Sequence, residues 1–150
     1  MTDIGVFTQP YLAEDRSWLL SEPDNAYQIG GTLSIPAFTQ AVHYPNGYIP
    51  SGTVVGLITA SGLYGPYDDT ATDGRQTAVG VLFGSIRVLN PVGGTLVKVG
   101  GAFIAGGSPS IATSRLPFNS TNAATGRGYI DAAGQVDLKF VQFFTANPTA

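Results

Sequence analysis

The sequence predicts a mainly β protein, built as a single compact β-barrel-like domain with an irregular N-terminal arm, long loops and little helix. Three observations carry that expectation. Twenty Gly and ten Pro among 150 residues interrupt the chain too often for long helices, since in a helix interior Gly costs about 1 kcal/mol and Pro about 3 kcal/mol relative to Ala. Runs rich in Val, Ile, Thr and aromatic residues are short and bounded by turn residues, which is the pattern of strands. The chain has the length of one domain, enough to bury an apolar core without metals or disulfides.

Taken in chain order, residues 1–48 read as an irregular N-terminal segment and residues 49–150 as the β-rich domain. The first segment scatters Tyr, Phe and Trp among polar residues and is broken by Pro10, Pro23, Pro36 and Pro45, so an arm that orders against a neighbour is one reading. For residues 20–48 an irregular start packed on its own domain is the other. Leu12 to Leu20 has the makings of a short helical turn, with Glu14, Asp15 and Arg16 on its polar side. Strands are then expected at Thr53 to Thr59, Leu63 to Tyr67, Thr77 to Phe83, Ile86 to Leu89, Thr95 to Ile104 and Val136 to Phe144. In the last of these, strict alternation places Val136, Leu138 and Phe140 on one face and Asp137 and Lys139 on the other. Ala60-Ser61-Gly62 and Asn90-Pro91-Val92-Gly93-Gly94 read as tight reversals. Gly106 to Gly128, rich in Ser, Thr, Asn and Gly with few apolar anchors, reads as a long surface loop with room for a short helix.

Composition removes several classes of function. With no cysteine, thiolate and disulfide redox chemistry are excluded. Seven basic residues against ten acidic give a net charge of −3 with no Lys/Arg cluster, so no nucleic-acid partner is expected. The amino terminus lacks a basic leader followed by a long apolar run, and no run of about 18 apolar residues occurs; neither secretion nor a membrane partner is expected. Charged residues are 11% of the chain, against about 25% in ordinary soluble proteins. Part of that shortage is filled by Thr, Ser, Asn and Gly, and part fits surface covered by other subunits.

Chemistry-bearing residues are sparse. His43 is the lone histidine, and no Gly-x-Ser-x-Gly elbow accompanies it, so an interface or surface role is the expectation and catalysis is not. Asp68, Asp69 and Asp73 near Gly74 offer hard oxygen ligands, but their spacing departs from the twelve-residue calcium loop. Carboxylates that cap backbone N–H groups of a loop are the simpler reading, ahead of calcium or an acid/base pair for glycoside cleavage. No phosphate-binding loop is present. No metal, cofactor or catalytic group is therefore expected.

The stretch Ile49 to Phe83 is more specific. It carries Gly52-Thr53-Val54-Val55-Gly56, then Thr59-Ala60-Ser61-Gly62, then Tyr64-Gly65-Pro66-Tyr67-Asp68, then Asp73-Gly74, then Ala78-Val79-Gly80-Val81-Leu82. In order and spacing this resembles the lambda-type head decoration proteins of tailed phages. The elements also have a local logic: a reversal at Ser61-Gly62, an end of pairing at Pro66, and a loop closed by Gly74 that feeds the next strand. Thr95 to Ile104 and the closing β segment agree loosely with the family's later part.

The resemblance implies a β-tulip-like domain and a non-enzymatic cement protein: a homotrimer on the outer surface of the expanded capsid, at threefold and quasi-threefold positions, with the major capsid protein as partner. Such a protein is made in the host bacterial cytoplasm and ends in the virion. The family's N-terminal segment orders on the capsid by strand addition, so Ile4, Val6, Phe7, Tyr11 and Trp18 are the capsid-contact candidates. The competing class is a β-rich carbohydrate-binding or host-adhesion module stacking sugars on Trp18, Tyr27, Tyr44 and Tyr48. A small hydrolase using His43 is a third.

Overall fold

The computed structural model describes residues 14–21, 28–90, 92–123 and 127–145. Ile4, Val6, Phe7, Tyr11, Tyr27 and Pro91 lie outside the described residues. The strands are β1 (Leu19–Ser21), β2 (Gln28–Ser34), β3 (Tyr48–Ile49), β4 (Val54–Ile58), β5 (Leu63–Pro66), β6 (Ala78–Leu82), β7 (Ile86–Arg87), β8 (Lys98–Ile104), β9 (Ser110–Ala112) and β10 (Gln142–Phe144). Two short helices, α1 (Gln40–His43) and α2 (Ala132–Asp137), accompany them among the described residues. The expected mainly β domain is thus present, and the expected barrel is a closed ring of five strands in the order β2-β5-β4-β6-β8.

Within the ring, β4 and β6 are short apolar runs because they are covered on both faces. Neighbouring residues turn to opposite sides: Val55, Leu82 and Phe103 join Leu33, Ile35 and Phe38 in one buried cluster. Val54, Val81 and Ile104 join Trp18, Tyr67, Ile111 and Leu138 in a second. The first cluster fills the ring. The second lies between its outer face and a layer made of α2 and a three-stranded sheet ordered β1-β9-β10.

The reversal at Ser61-Gly62 is present, with the Gly62 N–H donating to the Ile58 carbonyl at 2.9 Å and Ile58 opposite Leu63 in the β4–β5 ladder. So is the reversal after Asn90, closed by Gly93 N–H to the Asn90 carbonyl at 3.0 Å and by the Leu89–Thr95 bridge. Of the two readings for residues 20–48, the described residues 28–48 are packed on the domain. β2 is a strand of the ring, paired along its whole length with β8 from Gln28↔Ile104 to Ser34↔Lys98, and Leu33, Ile35 and His43 are buried.

Three expectations are corrected. The described part of the expected helical turn, from Glu14 on, is a non-helical strap leading through a turn at Ser17-Trp18 into β1; Trp18 and β1 find partners on the domain that a three- or four-residue local turn cannot offer. The expected strand from Val136 is instead the end of α2, a turn, and a strand of three residues, β10. There Leu138 is buried while Val136 and Phe140 are 69% and 70% exposed, so alternation does not continue through the turn. Asp131 is the reason: its carboxylate accepts the Gly134 N–H at 2.9 Å and starts a helix where the apolar pattern reads as extended. The stretch Gly106 to Gly128 is not an unanchored loop, because it contains β9 and a 3-10 turn over Thr113–Arg115 and buries Ile111, Ala112, Leu116, Phe118 and Ala123.

Candidate functional site

Residues 14–18 enter the domain through a set of specific bonds. The Trp18 indole is 1% exposed, and its Nε1–H donates to Ser51 Oγ at 3.0 Å, whose hydroxyl donates in turn to the Phe83 carbonyl at 3.0 Å. A buried indole N–H needs such a partner. Upstream, Glu14 Oε1 accepts the Ser85 N–H at 2.9 Å, and Arg16 Nε donates to the same Phe83 carbonyl at 3.1 Å. The Arg16 guanidinium lies 4.2 Å from the centroid of the Phe83 ring, a cation–π contact. Arg115 Nη1 donates to the Ser17 carbonyl at 3.2 Å. The Ser17 backbone N–H, with its side chain and the charge of Arg115 adding to it, holds the Asp15 carboxyl below the usual range.

Trp18, one of the five capsid-contact candidates, is thus buried within the chain. It is a core residue that pins the start of the domain. Beside it runs a cleft of about 210 Å³ lined by Asp15, Tyr48, Pro50, Ser85, Arg115 and Pro117. A second cleft shares Tyr48, Pro50 and Pro117 and continues to His43, Phe118 and Asn122. For sugar stacking, Trp18 and Tyr44 present no free ring face because both are buried; Tyr48 is half-buried.

The second feature is an arginine clamp. Arg127 Nε lies 2.9 Å from Asp68 Oδ1, its Nη1 also meets Asp69 Oδ1, and the same Nη1 is 3.4 Å from Asp131 Oδ2. Asp131 Oδ1 accepts the Tyr67 hydroxyl at 2.7 Å. Burial first, then the bond to Asp131 and the carboxylates around it, push the Tyr67 hydroxyl far above its ordinary value, so it remains a donor. Gly128 completes the clamp, its carbonyl accepting from Val54 N–H and its N–H donating to the Tyr67 carbonyl, both at 2.9 Å. Asp73 turns away to Arg75 at 2.9 Å; burial works against its ionised form, but the Arg75 N–H and guanidinium outweigh that and lower it. The three loop carboxylates thus converge on two different arginines rather than on one point. Asp68 also accepts the Thr70 N–H at 3.0 Å, the capping role expected of it.

His43 is fully buried. Its Nδ1 accepts the Thr39 N–H at 2.9 Å, which leaves Nε2 to donate to the Arg127 carbonyl at 3.1 Å. The rings of Phe38 and Phe118 meet it edge-on at 5.4 and 5.2 Å. The imidazole ties α1 to the clamp, and both ring nitrogens are engaged in doing so.

The motif residues fall on the ring and its connections. Gly52 leads into β4 beneath Trp18 and Pro117. Gly56, Tyr64, Pro66 and Gly80 are in β4, β5 and β6, with the Tyr64 ring 4.8 Å from Phe103. Gly62 makes the β4–β5 turn, Tyr67 and Asp68 feed the clamp, and Asp73 and Gly74 shape the return loop. Gly74, at φ +110°, sits where a Cβ would be 2.3 Å from the Leu57 carbonyl oxygen, so both its backbone conformation and its closeness to β4 call for Gly. The clamp itself escaped sequence reasoning, because Arg127 and Asp131 are distant from Asp68 in the chain.

Among the described residues no helix is long and apolar enough to cross a membrane. Comparison with family models gives a match over residues 13–106 to the family described as bacteriophage lambda head decoration protein D. Comparison with curated proteins gives no match. The matched span begins at the strap, takes in all five strands of the ring, and stops before β9 and the clamp's Arg127.

Proposed function

The chain belongs to the bacteriophage lambda head decoration protein D family, a phage head decoration protein at the capsid surface of the virion, and from that premise we propose that it is a cement subunit. In this reading it binds the outside of the expanded head as a homotrimer at threefold and quasi-threefold sites. There it holds neighbouring major capsid subunits together against the pressure of packaged DNA. Host cytoplasmic synthesis precedes assembly, and neither nucleic acid nor membrane is a partner. The protein contributes binding energy rather than catalysis. A trimer engages several capsid subunits at once, so modest affinity per contact suffices, each contact raising the effective concentration of the next.

The observation that supports this reading is the continuity of the family match across the strap and the whole ring. Ile4, Val6, Phe7 and Tyr11 supply the arm's contacts with the capsid, and Trp18 takes the different role of anchoring that arm to the domain core. The experiment is co-sedimentation of the purified protein with shells of its own phage, expanded and unexpanded, stripped of this protein. Saturable binding to expanded shells alone, at about three copies per threefold site, is expected. Absence of binding to either shell would refute the cement role.

A further inference from the structure

Resting on the arm's role above, we propose that residues 14–17 are a positioning strap that fixes the point and direction from which the N-terminal arm leaves the domain. Trp18 alone would tether the chain, since its indole is buried and bonded to Ser51. Yet the residues before it are fastened as well. Glu14 takes the Ser85 N–H, Arg16 takes the Phe83 carbonyl and covers its ring, and Arg115 holds the Ser17 carbonyl. The Glu14 and Arg16 side chains are 34% and 43% exposed, and exposed polar contacts of this kind add little to stability. Their partners explain what they do instead. Phe83 O and Ser85 N are backbone atoms of the connection between β6 and β7, and the Phe83 carbonyl also receives the Ser51 hydroxyl that supports Trp18. The strap is thereby indexed to the ring and not to mobile side chains. Residues ordered before binding need not be ordered during it, and that saving appears as affinity.

The test uses the full-length protein titrated onto stripped expanded shells, with thermal unfolding measured in parallel. Glu14→Ala/Arg16→Ala is expected to bind roughly tenfold more weakly, the cost of ordering a freed strap, at an unchanged Tm. Deletion of residues 1–13 is expected to weaken binding too, and adding the pair of substitutions to the deletion should change nothing further. If the pair binds like the natural protein while the deletion does not, the strap proposal falls and the arm reading stands. If the deletion binds like the natural protein, the arm reading falls and the strap with it. An equal loss from the pair in the deleted chain would mean that Glu14 and Arg16 touch the shell directly, which also overturns the proposal. Should the pair lower Tm, Glu14→Ala alone carries the same comparison. Should the deletion abolish binding, a Gly-Gly insertion after Ala13, which leaves the strap closed but uncouples the arm from it, is expected to weaken binding; unchanged binding overturns the proposal.

Discussion

Replacing Asp131 by Ala tests whether the arginine clamp closes the domain. One carboxylate oxygen accepts both the Tyr67 hydroxyl at 2.7 Å and the Gly134 N–H at 2.9 Å. Loss of the helix cap costs about 1 kcal/mol. Orphaning a buried hydroxyl costs about 1–3 kcal/mol, and Tyr67 is fully buried. Arg127 keeps Asp68 and Asp69, so its partly exposed bond to Asp131 adds little. The sum is about 3 kcal/mol, which for a domain of this size lowers Tm by roughly 6–12 °C. Tyr67→Phe removes the donor instead and should cost about 1 kcal/mol. In the double variant no hydroxyl is left to orphan, so the two losses should fall short of additivity by about 1–2 kcal/mol. Urea unfolding followed by the fluorescence of Trp18, at one fixed protein concentration so that any self-association is constant, measures all four proteins. A loss below about 1 kcal/mol for Asp131→Ala, or strict additivity with Tyr67→Phe, would refute the reasoning.

Two further outcomes follow from contacts already described. A Cβ at Gly56 would stand 2.7 Å from Arg75 Cα and 2.8 Å from its carbonyl oxygen; both are backbone atoms, so Gly56→Ala should destabilise by about 1–3 kcal/mol, read as a lower urea midpoint. Because the Tyr67 hydroxyl titrates higher when folded than when unfolded, its contribution is complete below the unfolded value of about 10 and is lost as pH rises beyond it. Between about pH 9 and pH 11 the natural protein should therefore lose more stability than Tyr67→Phe, and parallel pH profiles would contradict this.

The ring strands from Val54 to Leu82 were legible because their residues face two cores at once: Val54 and Val55, or Val81 and Leu82, are both apolar and both buried. Such runs stand out between turns made by Gly62 and Gly74. β2 was harder to see, because Gln28, Gly30 and Gly31 have little strand preference of their own. Its place is set by β8, whose own glycines lie opposite Gly31 and Thr32. α2 was hidden by the period-2 spacing of Val136, Leu138 and Phe140, of which Leu138 alone is buried. Neither the clamp nor the strap leaves a local trace, since each joins residues far apart in the chain: Arg127 to Asp68, Glu14 to Ser85 and Trp18 to Ser51.

The closure of the ring also governs when the protein can fold. β4, β5 and β6 follow one another and can pair locally, β4 lying between the other two, and β2 can lie parallel to β5; but the long ladder of β2 and the second edge of β6 wait for β8, and β1 waits for β9. During synthesis the apolar residues Leu33, Ile35 and Trp18 therefore emerge from the ribosome long before the strands that cover them. Nonlocal pairings of this kind slow folding. The ring can therefore close only once β8 has been made. The strap draws Trp18 onto Ser51 and Phe83, yet β1 finds its ladder only once β9 has appeared. A nascent chain truncated before β8 would leave the ring open, with β2 and β6 each lacking the neighbour that joins them.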